Sequence, residues 1–207
     1  MKKTNTLRLC ELALLIAVEI IMGFTPLGFL QLGIIAASLL TIPVAIGAIL
    51  LGPAESTLLG LVFGLISFAK GFTSIGLMTR AMYAASLSGS FIVSVGGRVL
   101  MGLCTGLLVQ GVRKLSKHQG LLTCIAGSFA APVLNTVFYM GLLMLLFYHN
   151  EYIQNMVTTT GITNPILLIG AMVGIQAVIE AITCGIISTA VSKALQTALG
   201  KHTQLSY

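Results

Sequence analysis

The chain has 207 residues, of which 57% are hydrophobic and only 8% charged, and it carries 23 glycines. Soluble domains hold about 25% charged residues, and eleven basic plus five acidic side chains cannot cover a water-soluble globule. The net charge of +6 is spread in small groups between apolar runs rather than gathered in a patch, which excludes a nucleic-acid surface.

A membrane helix needs about 20 mostly apolar residues. Six segments qualify, at 7–24, 34–52, 54–70, 90–112, 119–148 and 163–192. Lys2 and Lys3 precede the first of these, which reads as a span rather than a cleaved signal. The second and third are joined by Gly52-Pro53-Ala54-Glu55-Ser56, a turn so short that the two must be antiparallel neighbours. Ten-residue alternating strands are absent, so a barrel is excluded. The expectation is an all-α membrane protein: six transmembrane helices in one domain, residues 1–207, both termini cytoplasmic.

The basic residues set that orientation. With the N-terminus inside, Lys2, Lys3, Arg8, Arg113, Lys114, Lys117, Lys193 and Lys201 are cytoplasmic, while Lys70 and Arg80 lie outside and Arg98 falls within the fourth span. Segments 25–33, 71–89 and 149–162 then face outward. The long 71–89 segment carries Phe72, Arg80 and Tyr83 and could fold over a ligand as a lid.

Small residues recur four apart: Gly60 and Gly64, Gly102 and Gly106, Gly170 and Gly174, and Ala13 and Ala17. Such pairs let helix backbones approach closely in lipid. The glycine pairs read as packing within the chain. The alanine pair differs, because the first helix could present one face to a partner. Cys10, Cys104, Cys124 and Cys184 are far apart and read as small buried packing residues, without metal-ligand spacing.

Ionisable groups at membrane depth are costly and point to function. Glu19, Arg98 and Glu180 are the candidates; the two acids could pair with Arg98 inside the bundle or face a ligand. Gln176 lies one turn from Glu180 on the same helix face. Asn135 follows Pro132 by three residues in the fifth span, where a proline can open room, and Tyr139 is one turn further out. The candidate substrate-binding set is Arg98, Asn135, Tyr139, Gln176, Arg80 and Phe72. No catalytic or metal residue is expected: there is no GxxxxGK[ST] loop, no HExxH, and the histidines (His118, His149, His202) fall in loops or tails. An enzyme is not expected, nor a cofactor.

One stretch is more specific. Ile42-Pro43-Val44-Ala45-Ile46-Gly47-Ala48-Ile49-Leu50-Leu51-Gly52-Pro53, continuing to Leu59-Gly60-Leu61-Val62-Phe63-Gly64-Leu65-Ile66-Ser67, resembles the substrate-binding S components of energy-coupling factor (ECF) vitamin transporters. In that family a PVxIGAxLLGP run turns into a GLxFGLxS helix. Asn135-Thr136 with Gly141-Leu142-Leu143 is similar to the family's NTxxxxGL-type segment, and Ala13 with Ala17 looks like its small-residue docking motif. The resemblance implies a bacterial plasma-membrane protein that takes a water-soluble vitamin from outside. Its implied partners are a transmembrane coupling subunit and two ATP-binding-cassette ATPases. Members resembling pantothenate carriers often have a His where this chain has Thr41. Pantothenate is the first choice, because its carboxylate suits Arg98 or Arg80. Pyridoxine, a hydroxymethylpyrimidine, folate and cobalamin are the alternatives, and a non-transporting membrane scaffold is the alternative of a different class.

Overall fold

A computed structural model describes residues 2–32, 35–73, 76–115 and 120–198. Gly33, Ile34, Lys117, His118, Lys201 and His202 lie outside the described residues. The chain runs through α1 (Lys2–Phe24), a hairpin of β1 (Phe29–Leu32) and β2 (Ile35–Ser38), then α2 (Thr41–Leu50) and α3 (Pro53–Gly71). It continues through α4 (Leu77–Ala85), α5 (Leu87–Phe91), a wide π turn at Ile92–Gly96, and α6 (Gly97–Leu115). The remainder is α7 (Leu121–Phe147), α8 (Glu151–Thr160) and α9 (Pro165–Ala198).

Among the described residues, four helical stretches are long and apolar enough to cross a membrane: Pro53–Gly71, Leu87–Leu115, Leu121–Phe147 and Val173–Thr197. They cover the third to sixth expected spans. The first expected span is helical throughout, but its helix also carries Lys2, Lys3, Arg8, Glu11 and Glu19. The second differs from expectation. Residues 35–38 are extended, pairing antiparallel with 29–32 from Phe29 opposite Ser38 to Leu32 opposite Ile35. Only Thr41–Leu50 is helical, which at 1.5 Å per residue is about 15 Å, half a bilayer core. An apolar run without polar breaks looks the same in a buried strand and a buried helix, and that is why composition alone merged the two.

Every residue of α2 is buried, and the helix touches α1, α3, α6, α7 and α9. It is the axis of the bundle. Leu40, Val44 and Ala45 pack with Leu59, Phe63, Met101 and Ala131, while Ile42, Ile46 and Ile49 pack with Val109, Cys124 and Cys184. Burying each of these aliphatic side chains contributes about 1.5–3 kcal/mol relative to water. At the far end of α2, Gly52 adopts φ 120°, a region that favours glycine, and Pro53 opens α3 at a first-turn position that needs no N–H. Arg8 donates to the Leu51 carbonyl at 2.8 Å and pairs with Glu55 at 2.7 Å. Arg113 donates to the Ile49 carbonyl at 2.6 Å. Two cations thus sit where the helix dipole of α2 is negative.

The glycine pairs divide. Gly60 and Gly64 on α3 and Gly102 and Gly106 on α6 line a close contact: Gly60 lies against Gly102, Gly64 against Val95 and Ser94 of the π turn, and Gly106 against Pro53 and Ser56. A Cβ on Gly60 would strike the Arg98 carbonyl, one on Gly64 would stand 2.7 Å from Val95 Cα, and one on Gly102 would strike the Ser56 carbonyl. Ser56 Oγ donates to the Gly102 carbonyl at 2.8 Å and pins the contact. Gly170 and Gly174 make no contact of this kind among the described residues, where a Cβ at either meets no atom within 4 Å. Cysteines divide likewise: Cys124 and Cys184 are buried, as expected, but Cys10 is exposed on α1.

The expected outer 71–89 segment is also more ordered than a loop. Leu77–Ala85 forms α4, and Met82 joins Val93, Leu143, Met144, Phe147, Ile153 and Leu168 in a separate core. The Asn150 side chain caps α8 by accepting from the Tyr152 N–H at 2.9 Å, as an N-cap residue should.

Candidate functional site

Arg98 sits one residue after the π turn and Gly97, at the second position of α6. Its backbone level is fixed by Gly60, about 10 Å along α3 from its start. Its side chain is buried, 6% exposed. Nη1 donates to the Val93 carbonyl inside the π turn at 3.4 Å. The guanidinium lies 3.9 Å from the centre of the Tyr139 ring and 5.2 Å from that of Phe63. Cation–π contacts of this kind are worth about 2 kcal/mol when water is excluded. They orient the cation without neutralising it.

No ion pair neutralises it either: the ion pair found among the described residues is Arg8–Glu55. Nε of Arg98 has no hydrogen-bond partner there. Glu180 is close enough to act on Arg98 electrostatically, as are Tyr139 and Tyr83. The expected alternative, internal pairing of Arg98 with Glu180 or Glu19, is therefore not formed. Glu19 is fully buried on α1, and neither of its oxygens has a partner among the described residues.

Glu180 is engaged elsewhere. Asn135 Nδ2 donates to its Oε1 at 3.4 Å, and the Ser38 backbone N–H donates to its Oε2 at 3.4 Å. Ser38 ends β2, so α9 holds the hairpin and α7 through one carboxyl group. Below it, Thr41 Oγ1 lies 3.3 Å from the Ser38 carbonyl and 3.2 Å from Cys184 Sγ. A buried backbone N–H needs a partner, and Glu180 supplies one for Ser38. Asn135 Oδ1 and Ser38 Oγ are buried without a partner among the described residues.

The remaining expected residues separate into two groups. Gln176 is half-buried on α9, one turn from Glu180. Phe72 is 62% exposed and packs edge-on against Phe68 and Tyr83. Tyr83 donates to the Phe68 carbonyl at 2.8 Å. Burial pushes the Tyr83 phenol above its ordinary value, opposed by the Ser94 hydroxyl and the Arg98 charge. Phe72 is thus joined to Tyr83 by a ring contact, and Arg80 is exposed on α4. Ala13 and Ala17 are both exposed on α1, in a face shared with Leu9, Leu14, Val18 and Ile21.

Sequence reasoning had not placed Ser38, Phe63 or Thr41 in this cluster, nor joined Asn135 to Glu180. A signal existed for Ser38. Gly33 stands between two four-residue apolar pieces, a spacing that suits a tight hairpin. Among the described residues the cluster offers a cation without an ion pair, two aromatic faces and a set of acceptors, which is the chemistry of a small-ligand site.

The sequence model of the ECF transporter substrate-specific component family matches residues 7–192. The chain belongs to that family. It is a substrate-binding subunit of an ECF transporter, a membrane transporter component and not an enzyme. ECF S components work with a coupling subunit and ATPases. No curated protein matches the chain.

Proposed function

We propose that this S component captures pantothenate from the outer side of a bacterial plasma membrane and delivers it with a coupling subunit and two ATPases. The observation that carries the reading is Arg98: a buried guanidinium with no ion pair among the described residues. An unpaired buried charge is expensive, and a carboxylate ligand would relieve it with charge-assisted hydrogen bonds. Pantothenate, one carboxylate on a small chain with an amide and two hydroxyls, supplies that group. Tyr139 would wall the carboxylate end, and Asn135 and Gln176 would take amide and hydroxyl groups. Phe72 and Arg80, on the outer segment, would close over the ligand.

In this reading the chain crosses the membrane six times with both termini inside. The second crossing is composite: α2 spans one half, and the hairpin occupies the other where side chains satisfy its backbone. Arg8, Arg113 and Lys193 then lie at the cytoplasmic end, consistent with the positive-inside bias. The exposed face holding Ala13 and Ala17 would dock on the coupling subunit, small residues allowing close approach.

Mass spectrometry of small molecules that co-purify with the chain tests the substrate. Pantothenate supports the reading; a vitamin without an acidic group, such as pyridoxine or a hydroxymethylpyrimidine, refutes it. Co-purification of a membrane coupling protein with two ATPases tests the assembly.

A further inference from the structure

Arg98 and Glu180, a guanidinium and a carboxyl group, are both buried in one bundle, yet among the described residues they form no ion pair. Were their role only to hold helices together, direct pairing would be the cheapest arrangement, because each isolated buried charge carries a desolvation cost of several kcal/mol. Instead Glu180 turns to Asn135 and to the Ser38 N–H, at 3.4 Å each. These are long compared with about 2.7–2.9 Å for strong charge-assisted bonds. A carboxylate offers about four lone-pair sites, so two bonds leave acceptor capacity over. The orphaned atoms nearby sort by chemistry. Among the described residues, Arg98 Nε is a donor without an acceptor, while Asn135 Oδ1 is an acceptor without a donor.

We infer that the site is bipolar and that Glu180 is a specificity-determining residue within it: Arg98 takes the acidic end of the ligand, and Glu180 with Asn135 Oδ1 takes hydroxyl or amide N–H donors at the other end. The substrate class is then a small molecule that is anionic at one end and rich in hydrogen-bond donors at the other. This inference rests on the carboxylate reading of Arg98 and adds a second, independent half. Thr41, Ser38 and Cys184 brace the donor-binding half from below, so Glu180 is presented on a fixed floor.

The test is equilibrium binding to the purified full-length chain with three probes. These are pantothenate, its alcohol analogue with CH2OH in place of the carboxylate, and a deoxy analogue lacking both hydroxyls. Glu180→Gln keeps size and an acceptor for Ser38 but places an NH2 donor toward the ligand's own donors. It should weaken pantothenate and the alcohol analogue about 10- to 150-fold and the deoxy analogue less than threefold. Arg98→Gln should do the reverse, weakening pantothenate and the deoxy acid while sparing the alcohol analogue. If Glu180→Gln weakens all three equally, Glu180 only ties the hairpin to α7 and α9, and the inference is overturned. Should that variant fail to insert, Glu180→Asp retains the charge one methylene shorter and must show the same ligand selectivity with a smaller loss. If the wild type binds no probe, the pantothenate reading fails separately. The bipolar site then stands or falls on the co-purified ligand, which must carry both an acidic group and hydroxyl or N–H donors.

Discussion

Gly60→Ala adds one methyl group at a tight point beneath the site, and the structure says what it must displace. The new Cβ would land on the Arg98 carbonyl, with Gly102 Cα at 3.5 Å beside it. Neither neighbour is the free end of a side chain, so α3 and α6 have to part or slide. Overpacking a close interior contact costs about 1–3 kcal/mol, and here the moving backbone is that of Arg98, so ligand affinity should fall with stability. Gly170→Ala is the matched control, because a Cβ there meets nothing within 4 Å and alanine favours the helix by up to about 1 kcal/mol. Thermal unfolding of both variants in detergent, alongside ligand titration, gives the comparison. Gly60→Ala should melt below wild type and bind more weakly, and Gly170→Ala should melt at or above it with unchanged binding. Equal stability of the two variants would show that the α3–α6 contact is looser than described and does not set the position of Arg98.

Ala17→Trp should leave ligand binding by the isolated chain intact while abolishing uptake in cells expressing the coupling subunit and ATPases; normal uptake would move the docking face elsewhere. Asn135→Ala and Gln176→Ala should each weaken binding about 5- to 150-fold with normal membrane insertion, and wild-type affinity in both would make them helix ties only. Ligand should slow protease cleavage across 71–89, where Phe72 is exposed; identical digestion with and without ligand would remove the lid role. Arg8→Ala breaks a partly exposed pair with Glu55 and should cost stability by about 0.2–1 kcal/mol, read as a small fall in melting temperature, with binding unaffected; a large loss of binding would link the cytoplasmic end to the site.

Membrane class, the four long apolar helices and the packing of Gly60, Gly64, Gly102 and Gly106 within the chain were legible because each follows from local composition or a four-residue spacing, although not which helices meet. The hairpin was not. Ile35, Ala36 and Ala37 read the same in a strand or a helix, and the side chain that takes the Ser38 N–H is Glu180, 142 positions along the chain. The site was half legible for the same reason. Arg98, Asn135 and Glu180 stand out as polar residues in apolar runs, and depth alone brings them to attention. Which of them pair depends on tertiary geometry: Asn135 goes to Glu180, and Arg98 goes to aromatic faces rather than to an acid. Gly170 and Gly174 show the converse. Their spacing matches the packed pairs, yet among the described residues nothing lies within 4 Å of a Cβ at either, because spacing states what a helix can accept and not what it meets.

Titration of labelled pantothenate into the purified chain, wild type against Arg98→Met, probes the central claim most directly. Methionine keeps much of the apolar stem between Phe63 and Tyr139 and removes the charge together with its N–H donors, the one to the Val93 carbonyl included. The account predicts saturable one-to-one binding by the wild type and a loss of at least about tenfold in the variant, the lower range for a charged hydrogen bond. Equal affinity in both proteins would mean that the buried guanidinium does not hold the ligand.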